Sequence, residues 1–156
     1  MSISGSVFEY DKRNPEQLKK QNEDHEQKIG ATVPDFWRCI NICHDVVQMN
    51  IKDKKGNSSL QLSGASQDEV TFLEMCRKVG YGEFIERDSK NIKIKINGNT
   101  EVYEILRVID FDSVRKRMSI IVKNLGTNQV INFIKGADMA IEPRLSEASK
   151  TSDEGL

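Results

Sequence analysis

Two hydrophobic periods divide the chain. From Pro34 onward Phe36, Ile40, Cys43 and Val47 recur at helical spacing, and a proline suits a first helical turn, which predicts a core helix over about 34–48. Val70, Leu73, Cys76 and Val79 repeat that spacing. Ahead of them Ser66-Gln67-Asp68-Glu69 has the form of a capping box, and Gly80 supplies a stop. The period then switches to two. Ile92, Ile94 and Ile96 alternate with Lys93 and Lys95, as in a strand with one wet face, and Asn97-Gly98 is a strong hairpin signal. Strands are predicted at Val102–Ile109, Arg117–Lys123 and Val130–Ile134, with Gly126-Thr127-Asn128 as a turn. A short strand at Leu60-Gln61-Leu62 and a short helix over about 137–144 complete the pattern. Helices followed by hairpin-linked strands predict an α+β fold: an antiparallel sheet of about five to seven strands with helices packed on it.

The polar stretches are expected to lie outside the core. Residues 11–31 read as a surface loop inserted in the domain, with at most a short exposed helix at 15–28. Lys52–Ser58 reads as a loop, and 146–156 as a flexible tail. At 156 residues the chain fits one domain, 1–156, large enough to bury a core. Its net charge of −1 argues against a nucleic-acid partner held by bulk electrostatics. No apolar run approaches membrane-spanning length, and no signal-peptide pattern opens the chain. Cys39, Cys43 and Cys76 make no disulfide framework. His44 points off the face that Cys39 and Cys43 share on a helix, so buried free thiols are expected and a zinc site is not.

Candidate chemistry gathers late in the chain. Phe111 follows the strand that ends Val108-Ile109-Asp110. It is either a core aromatic at a strand end or a face on which a purine base stacks. Arg115-Lys116-Arg117 is a basic run; in extended geometry only Arg115 and Arg117 share a face. Lys135 precedes Gly136. It is equally an exposed lysine at a turn or a cation aimed at phosphate or base, with Gly136 allowing close backbone approach and a following helix start adding partial positive charge. Asp68 and Glu69 open a helix. Glu69 either completes the capping box or accepts a hydrogen bond from a base amino group. No Walker loop or dinucleotide fingerprint is present, so side chains must hold any nucleotide. No metal-ligand cluster and no nucleophile–base arrangement appears at a recognisable spacing.

Taken in order, these blocks resemble the phospholipid-flippase branch of the P-type ATPases. Ile3-Ser4-Gly5-Ser6-Val7-Phe8 is similar to the family's Ile-x-Gly-x-x-Tyr, and Asn41–Val47 to its Leu-Ala-Leu-Cys-His-Thr-Val helix. Ala65–Glu69 resembles Ser-Pro-Asp-Glu, with Gln67 in place of the proline. Phe111–Ser119 and Lys135–Asp138 match Phe-x-Ser-x-Arg-Lys-Arg-Met-Ser and Lys-Gly-Ala-Asp. The resemblance implies a nucleotide-binding domain that presents ATP to an aspartate in a separate domain. Phe111 would stack on adenine, Glu69 would contact its amino group and Lys135 would line the pocket, with Asp68, Ser113, Arg117 and Gly136 as further ATP-binding candidates. It also implies a larger membrane ATPase that uses Mg2+, has phosphorylation and actuator domains as partners, and keeps this domain on the cytosolic side. The phosphorylation motif Asp-Lys-Thr-Gly-Thr is absent here, so the chain is expected to be a soluble, monomeric fragment that binds ATP without turning it over. Alternatives are the nucleotide domain of a cation pump, or a non-catalytic α+β interaction module.

Overall fold

In the computed structural model, which describes residues 2–3, 6–7, 14–29, 32–52 and 58–146, two short antiparallel strands come first, β1 (Ser2–Ile3) and β2 (Ser6–Val7). The rest of the Ile3–Phe8 block, residues 11–13 and 30–31, loop residues 53–57 and tail residues 147–156 lie outside the described residues.

Helix α1 (Pro15–Ile29) starts behind Asn14, whose side-chain oxygen accepts the Gln17 N–H at 3.3 Å. The helix expected at 15–28 is thus present, but one of its faces is buried rather than exposed. Leu18 and Asn22, one turn apart, are buried, and Asn22 Oδ1 accepts the Trp37 Nε1–H at 2.8 Å. A sparse apolar face hides this role in the sequence. The helix docks because it supplies the acceptor that a buried indole needs.

Helix α2 (Thr32–Ile42) carries Trp37 and ends well before residue 48. Its innermost positions are Val33, Trp37 and Asn41, while Phe36 and Ile40 are only partly buried. The chain turns at Cys43 and His44 into β3 (Val47–Lys52), which pairs with β4 (Ser58–Ser63) as a separate two-stranded sheet. Val47, Met49 and Ile51 alternate along this strand, with exposed side chains. Val47 therefore belongs to a period of two, which its chance match to the helical spacing concealed.

Helix α3 (Gln67–Val79) buries Val70, Leu73, Cys76 and Val79 as predicted. It stops at Gly80, whose φ of 74° is left-handed and whose N–H reaches the Cys76 carbonyl. Then β5 (Gly82–Arg87), β6 (Asn91–Ile96), β7 (Asn99–Asp112), β8 (Arg117–Asn124) and β9 (Val130–Gly136) form one antiparallel sheet in sequence order. Asn97 and Gly98, both at positive φ, turn β6 into β7. Ile92, Ile94 and Ile96 point to the helical side and are buried. α2 packs on β5, β6 and β9, α3 packs on β5, and α1 lies against α2 and α3. The α+β class thus holds, with five strands in the main sheet. The helix expected over 137–144 is α4 (Asp138–Ile141) followed by a 3-10 turn, Glu142–Arg144, that contains Pro143.

Candidate functional site

Strand β7 runs past Asp110, to Asp112. Ile109 pairs with Ser119 and Asp112 with Arg117, so the register slips between them, and Phe111 lies in that slip. Such an irregularity re-aims a side chain off the regular pleat. The Phe111 ring is 62% exposed. Beyond it, Asp112 Oδ1 accepts the N–H groups of Val114 and Arg115, each at 2.8 Å. Those two bonds, Arg115's foremost, hold the Asp112 carboxyl below the usual carboxylate range. Lys116, at a φ of 51°, closes the hairpin. The run Arg115-Lys116-Arg117 is therefore a turn with one strand residue, not the extended entrance expected. Arg117 donates from Nη1 to the Arg115 carbonyl at 3.1 Å.

Lys135 and Gly136 end β9 opposite Met118 and Arg117. A β-carbon on Gly136 would stand 2.5 Å from the Lys116 carbonyl oxygen and 2.6 Å from Arg117 Cβ. The close approach that requires glycine is thus that of the neighbouring strand. Ala137 N–H donates to the same Lys116 carbonyl at 3.0 Å, and α4 is a single turn, so the anticipated help from a helix start falls away.

The capping box does not form. Ser66 makes no side-chain cap bond at the start of α3. Glu69 turns instead to charged and backbone donors: Oε1 accepts Lys135 Nζ at 2.7 Å, and Oε2 accepts the Asp45 N–H at 3.1 Å. Charge-assisted bonds of this kind are stronger than a neutral cap. The Lys135 and Glu69 side chains are only 29% and 13% exposed, so Lys135 is half-buried in a pair rather than an exposed turn lysine. Asp45 has its carboxyl pushed up by burial and by the negative charges of Glu69 and Asp110.

These groups meet. Phe111, Phe72, Asp68, Glu69, Lys135 and Gly136 line a cavity of about 510 Å³, with Met118, Asp45 and Ala137 also in its wall. Ser113 and Arg117 are not in that wall. Phe72 and Asp45 are, and sequence reasoning passed over both. Phe72 had a signal: it stands three residues beyond Glu69, off the buried Val70–Leu73 stripe, an aromatic on the wet side of α3. Asp45 had none. A larger cavity of about 630 Å³ lies between α3, β4 and β5. There Arg77 and Glu83 face each other at 3.8 Å, and the one ring in the wall, Phe84, is buried. It offers no stacking face. The smaller cavity offers two exposed rings, a carboxylate acceptor and an ammonium. That set suits a flat heteroaromatic molecule with an amino donor and an anionic group.

Beneath the cavity Cys43 Sγ lies 3.8 Å from the Met118 and Phe133 carbonyl oxygens, and Cys39 Sγ 3.7 Å from that of Ile134. Burial pushes these thiols up to about 12 and about 11, so they pack as neutral groups. Among the described residues no three His, Cys, Asp or Glu side chains are grouped to hold a metal, and no helix is long and apolar enough to cross a membrane.

The family model described as P-type ATPase, cytoplasmic domain N, matches residues 32–154. Phospholipid-transporting ATPase IK of Mus musculus is 32% identical over 162 residues, covering 92% of this chain and 12% of the relative. Phospholipid-transporting ATPase DNF1 of Saccharomyces cerevisiae is 35% identical over 127 residues, covering 78% and 8%, and phospholipid-transporting ATPase IH of Homo sapiens is 34% identical over 119 residues, covering 72% and 10%. The chain therefore spans about a tenth of the length of these relatives.

Proposed function

The chain belongs to the P-type ATPases, as their cytoplasmic domain N, and from that premise we propose that it binds ATP in the cavity between Phe111 and Lys135. One observation carries the reading. An aromatic ring left 62% exposed by a register slip shares a cavity with a half-buried carboxylate–ammonium pair. What sets Phe111 apart from other exposed apolar side chains is the company of Phe72, Glu69 and Lys135 in one cavity wall. In the proposed complex adenine stacks on Phe111, with Phe72 nearby. Glu69 Oε1 accepts from the base amino group, and Lys135 Nζ moves from Glu69 toward the base and phosphates. Asp68 and Gly136 form wall, and Ser113 and Arg117, on the adjoining hairpin, lie on the phosphate side.

The names of the similar proteins support a wider proposal. The domain is part of a membrane ATPase that moves phospholipid, lies on its cytosolic side, and presents ATP to an aspartate on a separate domain, where Mg2+ serves the phosphoryl chemistry. No step on this chain runs through the metal, and the chain alone does not hydrolyse ATP.

Titration with ATP while following backbone amide signals tests the site. The expected result is saturable shifts at Phe111, Glu69 and Lys135, abolished or weakened by Phe111→Ala. Shifts elsewhere, or none, would replace this reading with that of an interaction module.

A further inference from the structure

His44, next to Asp45 in the chain, is fully buried and is not in the cavity wall. Both ring nitrogens are engaged. The Val46 N–H donates to Nδ1 at 3.1 Å, so that nitrogen carries no proton, and Nε2 donates to the Asn41 carbonyl at 2.9 Å. The ring thus ties the last turn of α2 to the entry of β3. Its edge packs on Phe84 at 4.7 Å and 84°, and its own carbonyl accepts from the Arg87 guanidinium. The peptide held between these anchors carries the Asp45 N–H, which donates to Glu69 Oε2.

We propose that His44 is a positioning residue for base recognition: its ring fixes the Asp45 N–H that aims the Glu69 carboxylate into the cavity. The inference rests on the nucleotide reading above. Its logic is the division of labour on Glu69. Oε1 is held by Lys135. When Lys135 turns to an anionic ligand, the Asp45 N–H on Oε2 is the contact left to keep the carboxylate from swinging away. That bond works against a repulsion, because the Asp45 carboxylate feels the negative charge of Glu69. A free backbone would relax by separating them. The Nδ1 acceptor that holds the Val46 N–H, on the far side of Asp45, prevents this. The charged groups around the ring are Arg87 on β5, Glu69 on α3, Lys135 on β9 and Asp45 beside it, and burial among them keeps the imidazole neutral.

The test uses two isosteric variants and two nucleotides. Asparagine places an acceptor where Nδ1 stands, while glutamine places its polar end where Nε2 stands. ITP replaces the base amino group with a carbonyl, so the ATP-to-ITP affinity ratio reports Glu69 aim and not stability. Binding is measured at neutral pH by calorimetry, with thermal melting as the check on folding. The wild type and His44→Asn are expected to prefer ATP equally within about twofold, and His44→Gln to lose about tenfold of that preference, as the misplacement of one charge-assisted bond would. In a Glu69→Ala background His44→Gln should cost nothing further. An unchanged ratio in folded His44→Gln overturns the proposal. So does an equal fall in both variants, or an additional loss on top of Glu69→Ala. If Phe111→Ala and Glu69→Ala both leave ATP binding intact, the nucleotide site itself is wrong, and the role of His44 falls with it.

Discussion

The core under the sheet and the cavity at its end use the same kinds of side chain in opposite ways. In the core, rings are covered and most polar groups are bonded, although Asn41 Oδ1 is buried without a hydrogen-bond partner. Trp37 is fully buried and donates to Asn22, Asn41 donates to the Trp37 carbonyl at 2.8 Å, and both His44 nitrogens are bonded. Phe84 and Phe133 are buried. In the cavity Phe111 and Phe72 are exposed, and Lys135 pairs with Glu69 at 2.7 Å. Burying a ring stabilises the fold by roughly 1.5–3 kcal/mol. Leaving two rings out forgoes that stabilisation.

Substitutions should separate the regions. The largest effect is expected at Trp37→Ala, which opens a cavity beside α1 and orphans the Asn22 oxygen. It should cost about 3–5 kcal/mol in urea unfolding. A loss under about 1 kcal/mol would mean that α1 is not part of the core.

Acid should attack the core next, through His44. Burial pulls its pKa down to about 4 from an ordinary 6.5, so the unfolded chain takes up the proton first. Stability contributed by the neutral ring is complete above about pH 6.5 and is lost as pH falls toward 4, about 3 kcal/mol in all. Unfolding curves across that window, compared between wild type and His44→Asn, measure it. Equal pH slopes would remove His44 as the source.

Gly136→Ala sits on the border between the regions. Its new methyl would meet β8 backbone and should cost about 1–3 kcal/mol of stability while also disturbing the cavity wall. Thermal melting alongside ATP titration would show both changes together. A neutral outcome would mean that the β8–β9 approach is looser than the geometry requires.

Phe111→Ala should invert the core pattern. Stability stays within about 0.5 kcal/mol, whereas ATP binding weakens by about 1–3 kcal/mol, roughly 5- to 150-fold. Unfolding as the main effect would make Phe111 a core residue. Lys135→Ala should change stability by no more than about 1 kcal/mol, because its pair with Glu69 is still partly wet. ATP affinity should fall, and the difference from wild type should shrink as salt rises. Equal affinities at low salt would take Lys135 out of the site.

What the sequence by itself determined is the part governed by local chemistry. Alternation at Ile92, Ile94 and Ile96, the Asn97-Gly98 turn and the Gly80 stop are properties of neighbours along the chain, so the meander and α3 were legible in advance. The presence of Phe111, Glu69 and Lys135 in recognisable blocks was legible too. Tertiary structure alone decided the rest. Residues 15–28 offer only an exposed helix to a reading of the sequence, because the burial of α1 depends on partners in the fold, among them the Trp37 indole fifteen positions from Asn22. The α2 boundary was misjudged because Val47 fits two periods, and only the pairing of β3 with β4 selects between them. The capping box at Ser66–Glu69 was a sound local expectation, but it lost to Lys135, sixty-six positions distant, because a partly buried opposite charge outweighs a neutral reciprocal cap. A long-range partner leaves no mark in the residues beside it, and that is why the fold was readable from periods while the aim of the site was not.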